Sequence, residues 1–117
     1  MDIQMTINQH VLKAKLADNV ASHQFWESLP IKLSMTNLYG REFCYRMGAG
    51  ALPDDAARNK GYEVGDISYW PPRGSLVILY KQNGEIFEQV PIGHIEDSID
   101  FLADLNGSYV LFERADD

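Results

Sequence analysis

Hydrophobic and polar residues alternate from the first residues of the chain. Ile3, Met5 and Ile7 fall on one side of an extended backbone, with Gln4 and Thr6 on the other, the period of two that marks a half-buried strand. Asn8-Gln9 reads as a tight turn. Val11 to Leu16 supplies the partner strand, with Leu12, Ala14 and Leu16 on the dry face and Lys13 and Lys15 on the wet one. The period then lengthens. Ala21, Phe25 and Ser28-Leu29 follow spacings of four and three, which turn one helical face toward a core. Asp18 or Asn19 is placed to cap that helix by accepting from its orphan amides, and Pro30 ends it at about Leu29.

Beyond Pro30 the period returns to two. Ile31, Leu33 and Met35 alternate with Lys32, Ser34 and Thr36, Tyr39-Gly40 signals a turn, and Arg41 to Met47 forms the returning strand. Phe43, Tyr45 and Met47 share one face of it; Glu42, Cys44 and Arg46 share the other. Gly48 to Gly65 has no period and reads as a long surface excursion, of a length often reserved for function and rich enough in glycine to act as a lid. Leu76 to Tyr80 is apolar on both faces, as in a strand covered on both sides. Pro71-Pro72 interrupts the sheet before it, because proline donates no ladder hydrogen bond. Asn83-Gly84 is a turn, and Ile86 to Ile95 holds a strand or two around Pro91. A second helix is predicted from Asp97 to Leu105, burying Ile99, Leu102 and Leu105, and Ser108 to Arg114 forms a last strand. The predicted fold is α+β but mostly β: a closed or nearly closed antiparallel barrel with two helices over its ends.

Composition narrows the function classes. The 117 residues make one domain, 1–117, with a 45% hydrophobic fraction that supports a single packed core. A net charge of −7 opposes binding to nucleic-acid phosphate or to anionic membrane surfaces. The acidic excess gathers at Asp54-Asp55, Glu96-Asp97 with Asp100, and Asp116-Asp117, and reads as solvated surface. No apolar run approaches the roughly 18 residues of a membrane span, and Met1-Asp2-Ile3-Gln4 lacks the basic start of a secretory signal, so a cytoplasmic location is expected. The lone Cys44 excludes an internal disulfide and reads as a small apolar residue. His10, His23 and His94 lack metal-ligand spacing, so neither metal nor cofactor is expected. Nothing places Glu42 and Asp66 together as an acid/base pair. Oligomeric state is not legible.

Three segments together carry a resemblance. Phe25-Trp26-Glu27-Ser28-Leu29-Pro30 resembles a helix end of the form F…LP. Gly65-Asp66-Ile67-Ser68-Tyr69-Trp70-Pro71-Pro72 resembles a GDI.Y.PP block, and Pro91-Ile92-Gly93-His94-Ile95 a P.G.I strand. In this order they resemble a small prokaryotic family of cyclophilin-like domains whose function is generally unassigned. The resemblance implies a cyclophilin-type barrel. Cyclophilins proper catalyse prolyl cis/trans isomerisation, using a hydrophobic seat for the proline ring and an arginine that hydrogen-bonds the twisted amide. The segment Glu42 to Gly50 does not reproduce the cyclophilin arginine motif. The cyclophilin strand of the form GSQFF lines up with Gly74-Ser75-Leu76-Val77-Ile78, so its glutamine falls at Leu76 and an aromatic at Ile78. No catalytic residue is therefore assigned.

The candidate ligand cleft comprises Trp70, Ile78, Tyr45 and Arg46, flanked by Tyr69 and Arg73. Trp70 offers a flat apolar wall with one N–H, although it reads equally well as an edge residue packed on Pro71 and Pro72. Arg46 and Arg73 are the candidate donors to a carbonyl or carboxylate, with solvated surface charge as the plainer account of each. Three function classes follow: a module binding a peptide or small molecule without isomerase activity, a degenerate prolyl isomerase, and a structural or oligomerising unit. The isomerase requires an arginine at the cleft floor; the structural unit requires an exposed apolar strand edge.

Overall fold

The first hairpin forms as its alternation dictates. In the computed structural model, which describes residues 1–115, β1 (Asp2–Ile7) pairs antiparallel with β2 (His10–Leu16). Ile3, Met5 and Ile7 are fully buried, and Leu12, Ala14 and Leu16 join them on the inner face. The chain then enters α1 (Val20–Glu27), where Asn19 is the N-cap: Ser22 N donates to Asn19 Oδ1 at 2.9 Å. The same Asn19 donates from Nδ2 to the carbonyl of Pro91 at 2.7 Å, and Ser22 Oγ donates to that of Ile92 at 2.9 Å. One cap thus both starts the helix and ties it to a strand 72 residues away. The helix buries Ala21 and Phe25, the latter edge-on to Phe112 at 5.3 Å.

The remaining strands are β3 (Ile31–Leu38), β4 (Glu42–Arg46), β5 (Arg58–Lys60), β6 (Asp66–Trp70), β7 (Ser75–Leu79), β8 (Phe87–Ile95) and β9 (Gly107–Arg114). Eight of the nine described strands follow one another around the sheet in the order β2-β1-β9-β3-β4-β7-β6-β8, and β8 pairs back onto β2, closing an antiparallel barrel. At the closing seam Gly93 faces Leu16, and a Cβ there would lie 2.6 Å from the carbonyl of Lys15, so the seam closes only over glycine. Gly74 is more tightly constrained. Its φ is +60°, and a Cβ would meet the carbonyl oxygen of Gly48 at 1.8 Å, while its own carbonyl accepts from Met47 N. It lets the 3₁₀ turn Pro71–Arg73 return the chain into β7 against the end of β4.

Closure gives the sheet an inside and an outside. Phe43, Ile67, Tyr69, Leu76, Ile78, Val110 and Phe112 point in and are fully buried. A smaller apolar layer lies on the outside, where Tyr62 and Phe87 cover Cys44, Val77 and Leu79. β7 therefore has both faces buried, which is why its sequence shows no alternation.

The structure corrects the helix count: among the described residues there is one α-helix, not two. Residues 100–104 form a 3₁₀ segment, with Leu102 N donating to Ile99 O at 3.0 Å and Leu105 N to Leu102 O at 3.1 Å. The apolar spacing here is strictly three, the period of a 3₁₀ helix and not of an α-helix. Asp97, the expected N-cap, is engaged elsewhere, accepting from Lys13 N of β2 at 2.8 Å. The excursion from Gly48 to Gly65 is also more ordered than its composition suggests. It contributes β5, which pairs with residues 87–89 of β8, and it buries Leu52 and Tyr62. Leu52 N donates to the hydroxyl of Tyr69 at 3.2 Å. Among the described residues, no helix is long and apolar enough to cross a membrane. The acidic Asp116-Asp117 pair lies outside the described residues.

Candidate functional site

Register across β4, β7 and β6 builds a site on the outer face of the barrel. Arg46 is paired with Ser75, and Ser75 with Trp70, so these three form one row across three strands. The next outward row is Cys44, Val77 and Ser68, and beyond it stand Glu42 and Leu79. Phe87 and Tyr62 roof part of this surface, their rings 6.1 Å apart. What stays open is a cleft of about 180 Å³ with Val77 and Ser75 in its floor, Trp70 and Phe87 as apolar walls, and Arg41, Glu42, Arg46 and Glu85 as its charged groups.

The polar geometry differs along the cleft. Arg46 donates from Nη1 to Ser75 Oγ at 3.1 Å and, among the described residues, makes no ion pair. Toward the other end, Arg41 is pinned by two carboxylates. Its Nε donates to Glu42 Oε1 at 2.9 Å, its Nη2 reaches the same oxygen, and its Nη1 pairs with Glu85. The Arg41 guanidinium also lies 5.4 Å from the ring centroid of Phe87 and 5.8 Å from that of Tyr39. Glu42 is 4% exposed. Burial pushes its carboxyl above the ordinary value, with Glu85 adding to the rise and Arg41 and Arg46 opposing it.

Cys44 lies beneath the roof. Burial, and then the charge of Glu42, push its thiol upward, which suppresses the thiolate a nucleophile needs. Asp66 is not paired with Glu42. Its Oδ1 meets His94 Nδ1 at 2.8 Å and its Oδ2 accepts from Glu63 N at 2.9 Å. No group of three or more His, Cys, Asp or Glu among the described residues can hold a metal ion.

The six residues proposed from sequence divide between surfaces. Trp70 and Arg46 line the outer cleft together. Tyr69 and Ile78 are fully buried inside the barrel, and Tyr45, half-buried, packs against the same interior cluster. Arg73 is exposed on the 3₁₀ turn beside Trp70. Sequence reasoning did not select Glu42, Ser75, Val77 or Phe87 for the site. Glu42 carried the one available signal, since it shares a strand face with Arg46 at an even spacing. A second and larger groove, about 450 Å³, runs over the outward faces of β1, β2 and β9, but Lys13, Lys15, Glu96, Glu113 and Arg114 give it mixed, solvated charge and no aromatic wall.

A small closed antiparallel β-barrel with an outer-face cleft thus defines the class of protein. The sequence profile of the Cyclophilin-like family matches residues 5–112, and the chain belongs to that family. The fold is similar to the solution structure of a hypothetical protein from Archaeoglobus fulgidus, with a TM-score of 0.73 over 98% of this chain and 95% of that one, at 17% identity. That likeness bears on fold alone. No curated protein matches the sequence.

Proposed function

We propose that the domain is a binding module without prolyl isomerase activity, taking a small molecule or a single peptide side chain with its adjoining carbonyl into the outer cleft. The observation that carries this reading is Arg46: the residue is exposed, yet its guanidinium is tied to Ser75 of the cleft lining and makes no ion pair among the described residues. Such an arginine is a ready donor to a ligand carbonyl or carboxylate. Trp70, Val77 and Phe87 supply the apolar contact beside it. Size restricts the ligand. About 180 Å³ is well below the roughly 300–1,000 Å³ of sites for drug-sized molecules, so the cleft holds one ring-sized group.

A second reading, the degenerate isomerase, is favoured by the same Arg46, because an arginine within bonding reach of an apolar cleft is what that chemistry needs. Against it stand Leu76 and Ile78, the positions aligned with the cyclophilin glutamine and aromatic. Both are fully buried inside the barrel, where no ligand in the outer cleft reaches them. The structural-unit reading has less support. Barrel closure uses up the strand edges, and β5, which pairs only with β8, is three residues long and carries Arg58 and Lys60.

The test is fluorescence titration of the Trp26→Phe variant, which leaves Trp70 as the single tryptophan, with small aromatic carboxylates and short peptides. The reading expects saturable changes in Trp70 emission that Arg46→Met weakens by about tenfold, the loss of one charged hydrogen bond. Emission that stays constant across the whole set would remove the reading.

A further inference from the structure

Glu42 has one carboxylate oxygen left over. Both Arg41 bonds go to Oε1, and among the described residues Oε2 accepts none. No buried side-chain polar atom among those residues lacks a partner, so Oε2 is not sealed in and keeps access to the cleft that Glu42 lines. The residue itself is 96% withdrawn from solvent, its exposure being 4%. A nearly buried carboxylate with one oxygen open to a cleft accepts there from water, and a ligand donor that displaces that water forms a charge-assisted bond.

The charge pattern says which donor. Arg41 stands between Glu42 and Glu85, two acids to one base, so that end of the cleft has a net negative character. Arg46 gives the other end a positive one. Glu42 and Arg46 are four residues apart on the same face of β4, about 13 Å between Cα atoms at the strand rise. Val77 and the rings of Trp70 and Phe87 line the cleft as well. Deepening the binding reading above and resting on it, we infer that the cleft is a site for a dipolar ligand: an amino or amide N–H donor against Glu42 Oε2, a flat apolar middle against Trp70 and Phe87, and a carboxylate or carbonyl oxygen on Arg46. A simple anion satisfies only Arg46 and leaves Glu42 incomplete; a simple amine does the reverse. Full complementarity belongs to a molecule carrying both ends.

The experiment is an amide and indole NMR titration of the wild-type protein with three probes of one ring each: 4-(aminomethyl)benzoate, benzoate and benzylamine. The dipolar probe is expected to shift Arg46, Ser75, Val77 and the Trp70 indole, and to bind at least about tenfold more tightly than either single-ended probe, since each end adds a charge-assisted hydrogen bond. In Glu42→Gln the preference for the dipolar probe over benzoate is lost; in Arg46→Met the preference over benzylamine is lost. Equal affinities for all three probes at the cleft would overturn the dipolar assignment and leave the binding reading standing. Shifts confined to other surfaces, or none, would overturn the assignment and count against the binding reading too. The comparison of probes on wild-type protein is decisive even if the Glu42 variant does not fold.

Discussion

Arg46 Nη1 donates to the hydroxyl of Ser75 at 3.1 Å, which ties an exposed arginine to a buried serine of the cleft lining. Ser75 is 2% exposed and fixed by pairing on both sides, to Arg46 on β4 and Trp70 on β6. Replacing it by alanine removes the tether but little volume. Ser75→Ala is expected to leave the urea midpoint nearly unchanged and to weaken cleft ligands by about threefold to tenfold, one ordinary hydrogen bond's worth. Unaltered affinity in fluorescence titration would mean that the tether does not preorganise Arg46.

Glu42 makes stability depend on pH in a definite sense. Its carboxyl is raised above 4.5 in the folded protein, chiefly by burial, so the folded state holds the proton more tightly than the unfolded chain. This contribution to stability is present in full below the ordinary carboxylate value and is lost as pH rises through the window above it, at up to about 1.4 kcal/mol per pH unit. The groups facing Glu42 are Arg41, Arg46 and Glu85. Glu42→Gln removes the titration. Urea unfolding of both proteins from pH 4 to 8 should show the variant gaining on wild type as pH rises; a difference independent of pH would contradict the account.

Gly74 and Gly84 both have positive φ, +60° and +80°, yet only Gly74 has a backbone carbonyl where a Cβ would go. Gly84→Ala should cost the ~1–2 kcal/mol of the left-handed conformation. Gly74→Ala should cost well beyond that, because Gly48 and the end of β4 must move. Equal losses in chemical denaturation would show that the close approach of Gly74 to Gly48 is not needed by the fold.

The excursion from Gly48 to Gly65 is anchored at Leu52, whose side chain is 5% exposed and whose amide donates to Tyr69 Oη. Its exchange with deuterium should be as slow as that of the central strands, while Asp54 and Asp55, exposed beyond it, exchange fast. Rapid exchange at Leu52 would restore the reading of this segment as a lid.

Much of the barrel was legible because one-sided burial writes its period into each strand. Ile3, Met5 and Ile7 against Leu12, Ala14 and Leu16 define a hairpin with no reference to the rest of the chain. The segment 97–105 misled because the spacing of three at Ile99, Leu102 and Leu105 reads as an α-helical face although it is the 3₁₀ period, and because Asp97, the expected cap, is taken by Lys13, a contact 84 residues away in sequence. The site was half legible for a related reason. Within β4, alternation separates Tyr45 from Arg46, but which face of β4 meets which face of β6 and β7 depends on register between strands, and register is non-local. The sequence-based cleft therefore grouped Trp70 and Arg46, which point out, with Tyr69 and Ile78, which point in. Phe87 was invisible as a wall because only the β5–β8 pairing, far along the chain, brings it over Val77.

The central claim is that the outer face at Arg46 and Trp70 binds without isomerising, and NMR exchange spectroscopy on Xaa-Pro peptides tests it most directly when protein and peptide resonances are read in the same samples. The account predicts shifts at Arg46, Ser75 and the Trp70 indole with cis/trans exchange of the peptide no faster than in buffer. Accelerated exchange that the Trp70→Ala variant loses would contradict it and make the domain a prolyl isomerase with Arg46 as its donor.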